Sequence, residues 1–251
     1  MGSAKVLLLG ATGGIGSTAL VSLLDRGVDV TAIVRSEARL PKAALGHKQL
    51  TSVVHEEGAL GMELSEFSKH VQGCDAVISC LGHTMDFKGL FGHPRDLCLR
   101  TTKLACDTIS ELQPAKPTKY IVVNTVGVDH PDGQSDPPRT LVERALIWLL
   151  TVLLPPMNDN VKTSHYLYKH VMGSKHVEFC CVRPDDLLDG DERPFTLHET
   201  LQNGLFNAGV TTRSNVGKFM ADLVTNQGLW LQWKGKYPQI IDVQGPKNKA
   251  S

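Results

Sequence analysis

The sequence predicts a doubly wound α/β fold: one parallel sheet with helices on both faces, and a small cap formed by residues 184–215. Three observations carry this. Apolar runs of four to six residues recur with little polar alternation, as in strands covered on both sides. Stretches with helical spacing separate those runs, and a glycine-rich turn joins the first run to the first helix.

The elements follow in order. Val6-Leu7-Leu8-Leu9 reads as the first strand, and Ala19, Leu20, Leu23 and Leu24 give the next segment one apolar helical face. Residues 29–34 form the second strand and 50–55 the third, with an amphipathic helix over 64–71. Residues 76–80 are the fourth strand, running into Leu81-Gly82-His83. A long helix follows Pro94, carrying Leu97, Thr101, Leu104, Ala105 and Ile109. The fifth strand spans 120–125 and the sixth 177–182, separated by a Pro-, Asp- and Gly-rich loop over 127–138 and further helical sequence. After the sixth strand the pattern becomes irregular from Arg183. Ser214 is placed to cap a last helix reaching Asn226, and 240–243 reads as a closing strand. The whole of 1–251 reads as one domain, a length this architecture commonly reaches undivided.

The turn Gly10-Ala11-Thr12-Gly13-Gly14-Ile15-Gly16 lies directly between strand and helix, which predicts a dinucleotide site. Gly10 permits the tight turn, Gly13 lets the backbone approach a diphosphate, and Gly16 lets the helix pack closely on the sheet. The anion then meets the unpaired N–H groups and positive dipole end of the helix. After the second strand, where an acid would accept hydrogen bonds from a free ribose, the chain has Arg35, with Arg39 and Lys42 nearby. A guanidinium can hold a 2′-phosphate bidentately, so NADP(H) is the expected cofactor and Arg35 the expected selector. The plainer reading is a solvated basic loop.

Composition narrows the classes. Twenty-six Lys and Arg against 26 Asp and Glu leave no net charge, and no basic stripe with interleaved aromatics suggests nucleic-acid binding. The six cysteines form no CxxC pair, and neither they nor the histidines show a metal-ligand spacing, so no metal is expected. Asp185, Asp186 and Asp189 cluster, as solvated loops often do. A cytoplasmic protein with reduced thiols is the expectation. Residues 145–154 are almost wholly apolar and end at Pro155-Pro156, too short to span a bilayer. A buried helix, a self-association face, a substrate-pocket wall or a membrane-surface contact all fit, and Glu143 and Arg144 suggest entry from solvent.

These residues resemble the atypical short-chain dehydrogenase/reductases, in the NmrA-like, NAD(P)H-binding branch that includes biliverdin-IX beta and flavin reductases. The carriers are the 10–16 turn, Val34-Arg35, Val77-Ile78-Ser79-Cys80-Leu81-Gly82, Val122-Val123-Asn124-Thr125-Val126-Gly127, and Val182-Arg183-Pro184 with Asp189-Gly190. The resemblance implies a Rossmann fold in which Gly10, Thr12, Gly13, Gly14, Ile15 and Gly16 cradle the cofactor. Leu81 and Gly82 would line its ribose, Thr125 would face the nicotinamide, and the segment after Arg183 would cross the nicotinamide end.

The YxxxK dyad used by many relatives is absent. Lys162 and Tyr166 share a helix face in reversed order, with Lys169 three residues on, and could rebuild an acid with a cationic neighbour; a packing tyrosine on a polar face fits equally. Thr125 could hold a substrate oxygen, and His83, at the carboxyl edge, could donate a proton or wall a pocket. The expected function is an NADPH-dependent reductase passing hydride to a small or medium apolar carbonyl, enone, flavin or tetrapyrrole-like acceptor. A non-turning redox sensor or scaffold, or a non-redox isomerase or cyclase retaining the cofactor, are the alternatives.

Overall fold

A computed structural model describes residues 3–83 and 92–243. Strands β1 (Lys5–Leu9), β2 (Asp29–Val34), β3 (Leu50–Val54), β4 (Ala76–Ser79), β5 (Thr118–Val123) and β6 (Val177–Pro184) run parallel in the spatial order 3-2-1-4-5-6. The expected six strands are all present. The chain winds outward from β1 to β3, then restarts beside β1 with β4, in register Val6↔Ala76 to Leu9↔Ser79. This reversal opens a crevice at the carboxyl ends of β1 and β4, which is where ligands bind in such sheets.

Successive residues of β1 point to opposite faces, and both faces are dry. Leu8, with Val30 and Ala32 of β2, packs under α1 (Gly14–Asp25), α6 (Arg213–Thr225) and α7 (Gln227–Trp233). Leu7 and Leu9 pack with Val77 under α2 (Leu64–Val71), α3 (Leu97–Leu112) and the π turn Leu167–Val171. Two-sided burial explains why these strands read as unbroken apolar runs.

Residues 184–215 contain β7 (Asp186–Leu188), β8 (Phe195–His198) and β9 (Val210–Thr212). β7 and β9 pair in parallel as a small separate sheet, while β8 runs antiparallel to β10 (Gln239–Asp242), which extends the main sheet beyond β6. The cap of α6 differs from expectation. Thr212 caps the helix by accepting from Asn215 N, whereas the Ser214 hydroxyl donates to Gly190 O at 2.6 Å. Arg183, fully buried on β6, holds Asp136 with two nitrogens at 2.5 and 3.1 Å and so anchors the 127–138 loop.

The apolar segment corrects another expectation. It forms α4 (Leu141–Leu153), followed after a bend by α5 (Pro155–Tyr166), but α4 is not a buried helix. Trp148 is 66% exposed and Val152 61%, whereas Glu143, expected in solvent, is buried in a capping box with Thr140 and accepts from Leu205 N at 2.6 Å. Among the described residues no single helix is long and apolar enough to cross a membrane.

Candidate functional site

The turn after β1 shows why Gly10 and Gly16 are glycines. At Gly10, with φ +85°, a Cβ would lie 2.8 Å from the carbonyl carbon of Cys80, so only glycine lets the ends of β1 and β4 meet. At Gly16 a Cβ would stand 2.0 Å from Gly10 O, so glycine there lets α1 begin against the turn. Gly13 differs, because its open side meets only Gly10 O, at 3.4 Å. Gly13 also occupies the N-cap position of α1, and no side chain caps that helix. The first turn of α1 therefore offers its N–H groups and dipole beside an open glycine, the arrangement an anionic diphosphate fits.

A cleft of about 740 Å³ lies at the β1/β4 reversal. Of the sequence-predicted residues, Gly10, Thr12, Arg35, Leu81, Gly82 and His83 line it. Gly13, Gly14, Ile15 and Gly16 belong to the adjoining turn and first helical residues, and Thr125 is not a wall of the cleft. Its hydroxyl oxygen instead accepts from Gly127 N at 3.2 Å, holding the turn after β5. Arg35 is exposed at the end of β2 and makes no ion pair among the described residues. Arg39 and Lys42 are not in the cleft wall; Arg100 of α3 is, as are Glu56 and Glu57 beyond β3. Arg35 and Arg100 thus share the cleft with three carboxylates, Glu56, Glu57 and Asp96, and placement rather than summed charge must select the ligand.

Tyr166 does not join this site. Its hydroxyl donates to Asp107 Oδ1 at 2.7 Å, its ring stacks on His170, and Lys103 Nζ lies 5.5 Å from the ring centre. Burial and the Asp107 contact push its phenol far above the ordinary range. Asp107 is six residues beyond the cleft-lining Thr101, roughly 9 Å farther along α3 at 1.5 Å per residue. Lys162 and Lys169 are exposed, so the reversed dyad is not assembled in the cleft.

The polar α5 side chain at the carboxyl edge beside His83 is Asp159, which is 1% exposed. Asn124 Nδ2, just past β5, donates to Asn160 O at 3.0 Å and ties α5 to that edge. Asp159 Oδ2 accepts from His83 Nε2 and from Cys98 N, both at 2.8 Å, and Oδ1 accepts from Leu99 N at 2.9 Å. The carboxylate thereby caps α3 from a distant element, in place of Asp96, whose side chain makes no cap bond. Cys98 completes a His-Cys-Asp group whose ligand atoms lie within 4.8 Å of one another. A cation is nevertheless a poor fit. Burial, then the charge of Asp159, pushes the Cys98 thiol well up, and the α3 N-terminus that holds Asp159 repels positive charge. Hydrogen bonding is the chemistry this group supports. Sequence reasoning missed Asp159 and Arg100; the only signal was the Pro155-Pro156 helix start, which puts position 159 in the first turns of α5.

Solved structures share the architecture at low identity. An oxidoreductase from Lactococcus lactis superposes with a TM-score of 0.61 at 16% identity, covering 96% of this chain and 91% of that one. The anaerobilin reductase ChuY from Escherichia coli O157:H7 gives 0.57 at 16%, covering 97% and 100%. A Streptococcus pneumoniae protein provisionally assigned as an NADH-flavin reductase gives 0.61 at 18%, covering 96% and 100%. No curated protein sequence matches the chain. The profile of the NAD(P)H-binding family matches residues 10–227, from the glycine turn through α6. With the cradle, the reversed strand order and that match together, the chain belongs to the NAD(P)H-binding family.

Proposed function

We propose that the protein is an NADPH-dependent reductase acting on a small or medium apolar carbonyl, enone, flavin or tetrapyrrole-like acceptor. The observation that carries this reading is the 740 Å³ cleft itself, which joins a diphosphate cradle at Gly10 to Gly16 with Arg35 at the end of β2. Arg35 would grip a 2′-phosphate, and Leu81 and Gly82 would bound the ribose. The bound nicotinamide would supply the hydride. His83 lines the same cleft, held by the buried Asp159 carboxylate; in its doubly protonated form it would give one proton to the acceptor and keep the other on Asp159, which would fix its angle. Thr125 would hold the β5 turn. The reductase neighbours agree with this reading.

The test is NADPH oxidation, followed at 340 nm across flavin, enone, ketone and linear tetrapyrrole acceptors. Turnover with at least one class, weakened in His83→Ala, is expected. NADPH binding without oxidation by any acceptor would overturn the reductase reading in favour of a sensor, scaffold or isomerase.

Self-association through α4 is a second proposal. Leu141, Val142, Trp148, Leu149, Val152 and Leu153 stand exposed along it, and a second copy in two-fold related contact, which would cover the same apolar side chains on both chains at once, is the proposed occupant.

A further inference from the structure

Gly14, the first residue of α1, faces a space that is already filled. A Cβ there would lie 2.5 Å from Cδ and 3.0 Å from Nε of Arg213, the first residue of α6. The backbone sets this placement. Gly217, one turn into α6, lets that helix sit on α1 so closely that a Cβ would fall 2.1 Å from Thr18 Oγ1, and the same Oγ1 lies 3.0 Å from Arg213 O. Arg213 is thus laid over the uncapped N-terminus of α1 by helix packing.

That position is electrostatically awkward. The guanidinium sits beside the positive end of a helix, and like charges repel. Its partner is Asp189, bound through NH1 at 2.8 Å, but Asp189 is 93% exposed and Arg213 32%, so water screens the pair. The Asp189-Gly190 segment stays close to α6 by a second contact, the Ser214 hydroxyl on Gly190 O. A cation and a helix N-terminus held together with only a solvated carboxylate between them and solvent would both be satisfied by one anion.

We infer that Arg213 is a second anion contact of the dinucleotide site: it releases Asp189 and takes a diphosphate oxygen of the cofactor at the α1 N-terminus, Asp189 serving as its partner when the cradle is empty. Gly14 has no side chain because Arg213 must cross there. This inference rests on reading the turn as a dinucleotide cradle, and it adds a residue whose contact is common to NAD and NADP, unlike that of Arg35.

The experiment is isothermal titration of the purified chain with NADP⁺, NAD⁺ and adenosine 2′-monophosphate, the last lacking a diphosphate. Arg213→Gln is expected to weaken both dinucleotides alike, roughly ten- to hundredfold for a lost charged hydrogen bond, and to leave the monophosphate unchanged. Arg213→Lys should recover part of the loss, and Asp189→Asn should tighten both dinucleotides by removing the competitor. Unchanged dinucleotide binding in Arg213→Gln, or a monophosphate weakened as much as the dinucleotides, overturns the role. If the wild-type chain binds neither dinucleotide, the cradle reading falls, and the role of Arg213 with it. A circular-dichroism melt of each variant checks that the fold is intact.

Discussion

Replacing Asp159 by Ala removes one buried carboxylate and strands three donors at once: Cys98 N, Leu99 N and His83 Nε2. Loss of an N-cap costs about 1 kcal/mol. Charge at a partly buried helix N-terminus is worth up to ~2 kcal/mol, and taking the carboxylate from a buried imidazole N–H costs ~1–3 kcal/mol. These terms share one group and overlap, so a total of roughly 3 kcal/mol is expected rather than their sum. For a chain of this size each kcal/mol moves Tm by about 2–4 °C, giving a fall of roughly 6–12 °C. Asp159→Asn keeps one acceptor oxygen and should lose about half as much. His83→Ala leaves the α3 cap intact and should lose less than Asp159→Ala, on the order of 1 kcal/mol. Thermal melts followed by circular dichroism, checked by guanidinium titration, measure all three. An Asp159→Ala protein melting within about 2 °C of wild type would show that this carboxylate does not hold α3 and His83 together, and the order of the other two variants would then lose its basis.

Four further outcomes follow. Arg35→Ala should weaken NADPH by about 1.5–3 kcal/mol while leaving NADH nearly unchanged, as read by fluorescence titration; equal weakening of both would refute the selector role. Tyr166→Phe, which on one of the two sequence readings removes the acid, should retain turnover with whatever acceptor is found, because its hydroxyl serves Asp107 outside the cleft; a hundredfold loss would contradict this placement. Asp136 gives a pH dependence: burial raises its carboxyl, but hydrogen bonds and charge from Arg183 outweigh burial and hold it below the ordinary carboxylate value. A depressed folded value means its contribution is present above about pH 4 and lost as pH falls through the folded value, so acid melts of wild type should lose stability there and Asp136→Asn should show a smaller loss over the same range. Trp148→Glu places a charge in the exposed face of α4 and should shift a dimer to monomer in sedimentation velocity; a wild-type chain that is monomeric at high concentration and floats with lipid vesicles would reassign the face to a membrane surface.

Local pattern was enough for the sheet and the turn. Strands β1, β2, β4 and β5 are buried on both faces, so their apolar runs carry the fold in the residues themselves, and α2 falls on the expected 64–71. Gly10 and Gly16 were likewise readable, because the positive φ of Gly10 belongs to the tight turn itself and the contact that demands glycine at Gly16 forms within that turn. The partner of each polar group was not readable. His83 meets Asp159 across 76 residues and Arg213 crosses Gly14 from the far side of the chain, so no spacing rule links them. The reversed Lys162 and Tyr166 pair satisfied helical periodicity, but only the docking of α5 determined that its early residues reach the carboxyl edge while Tyr166 turns toward Asp107. The exposure of α4 is the same lesson in reverse: composition records how apolar a helix is, and only the tertiary structure decides how much of it neighbouring elements cover.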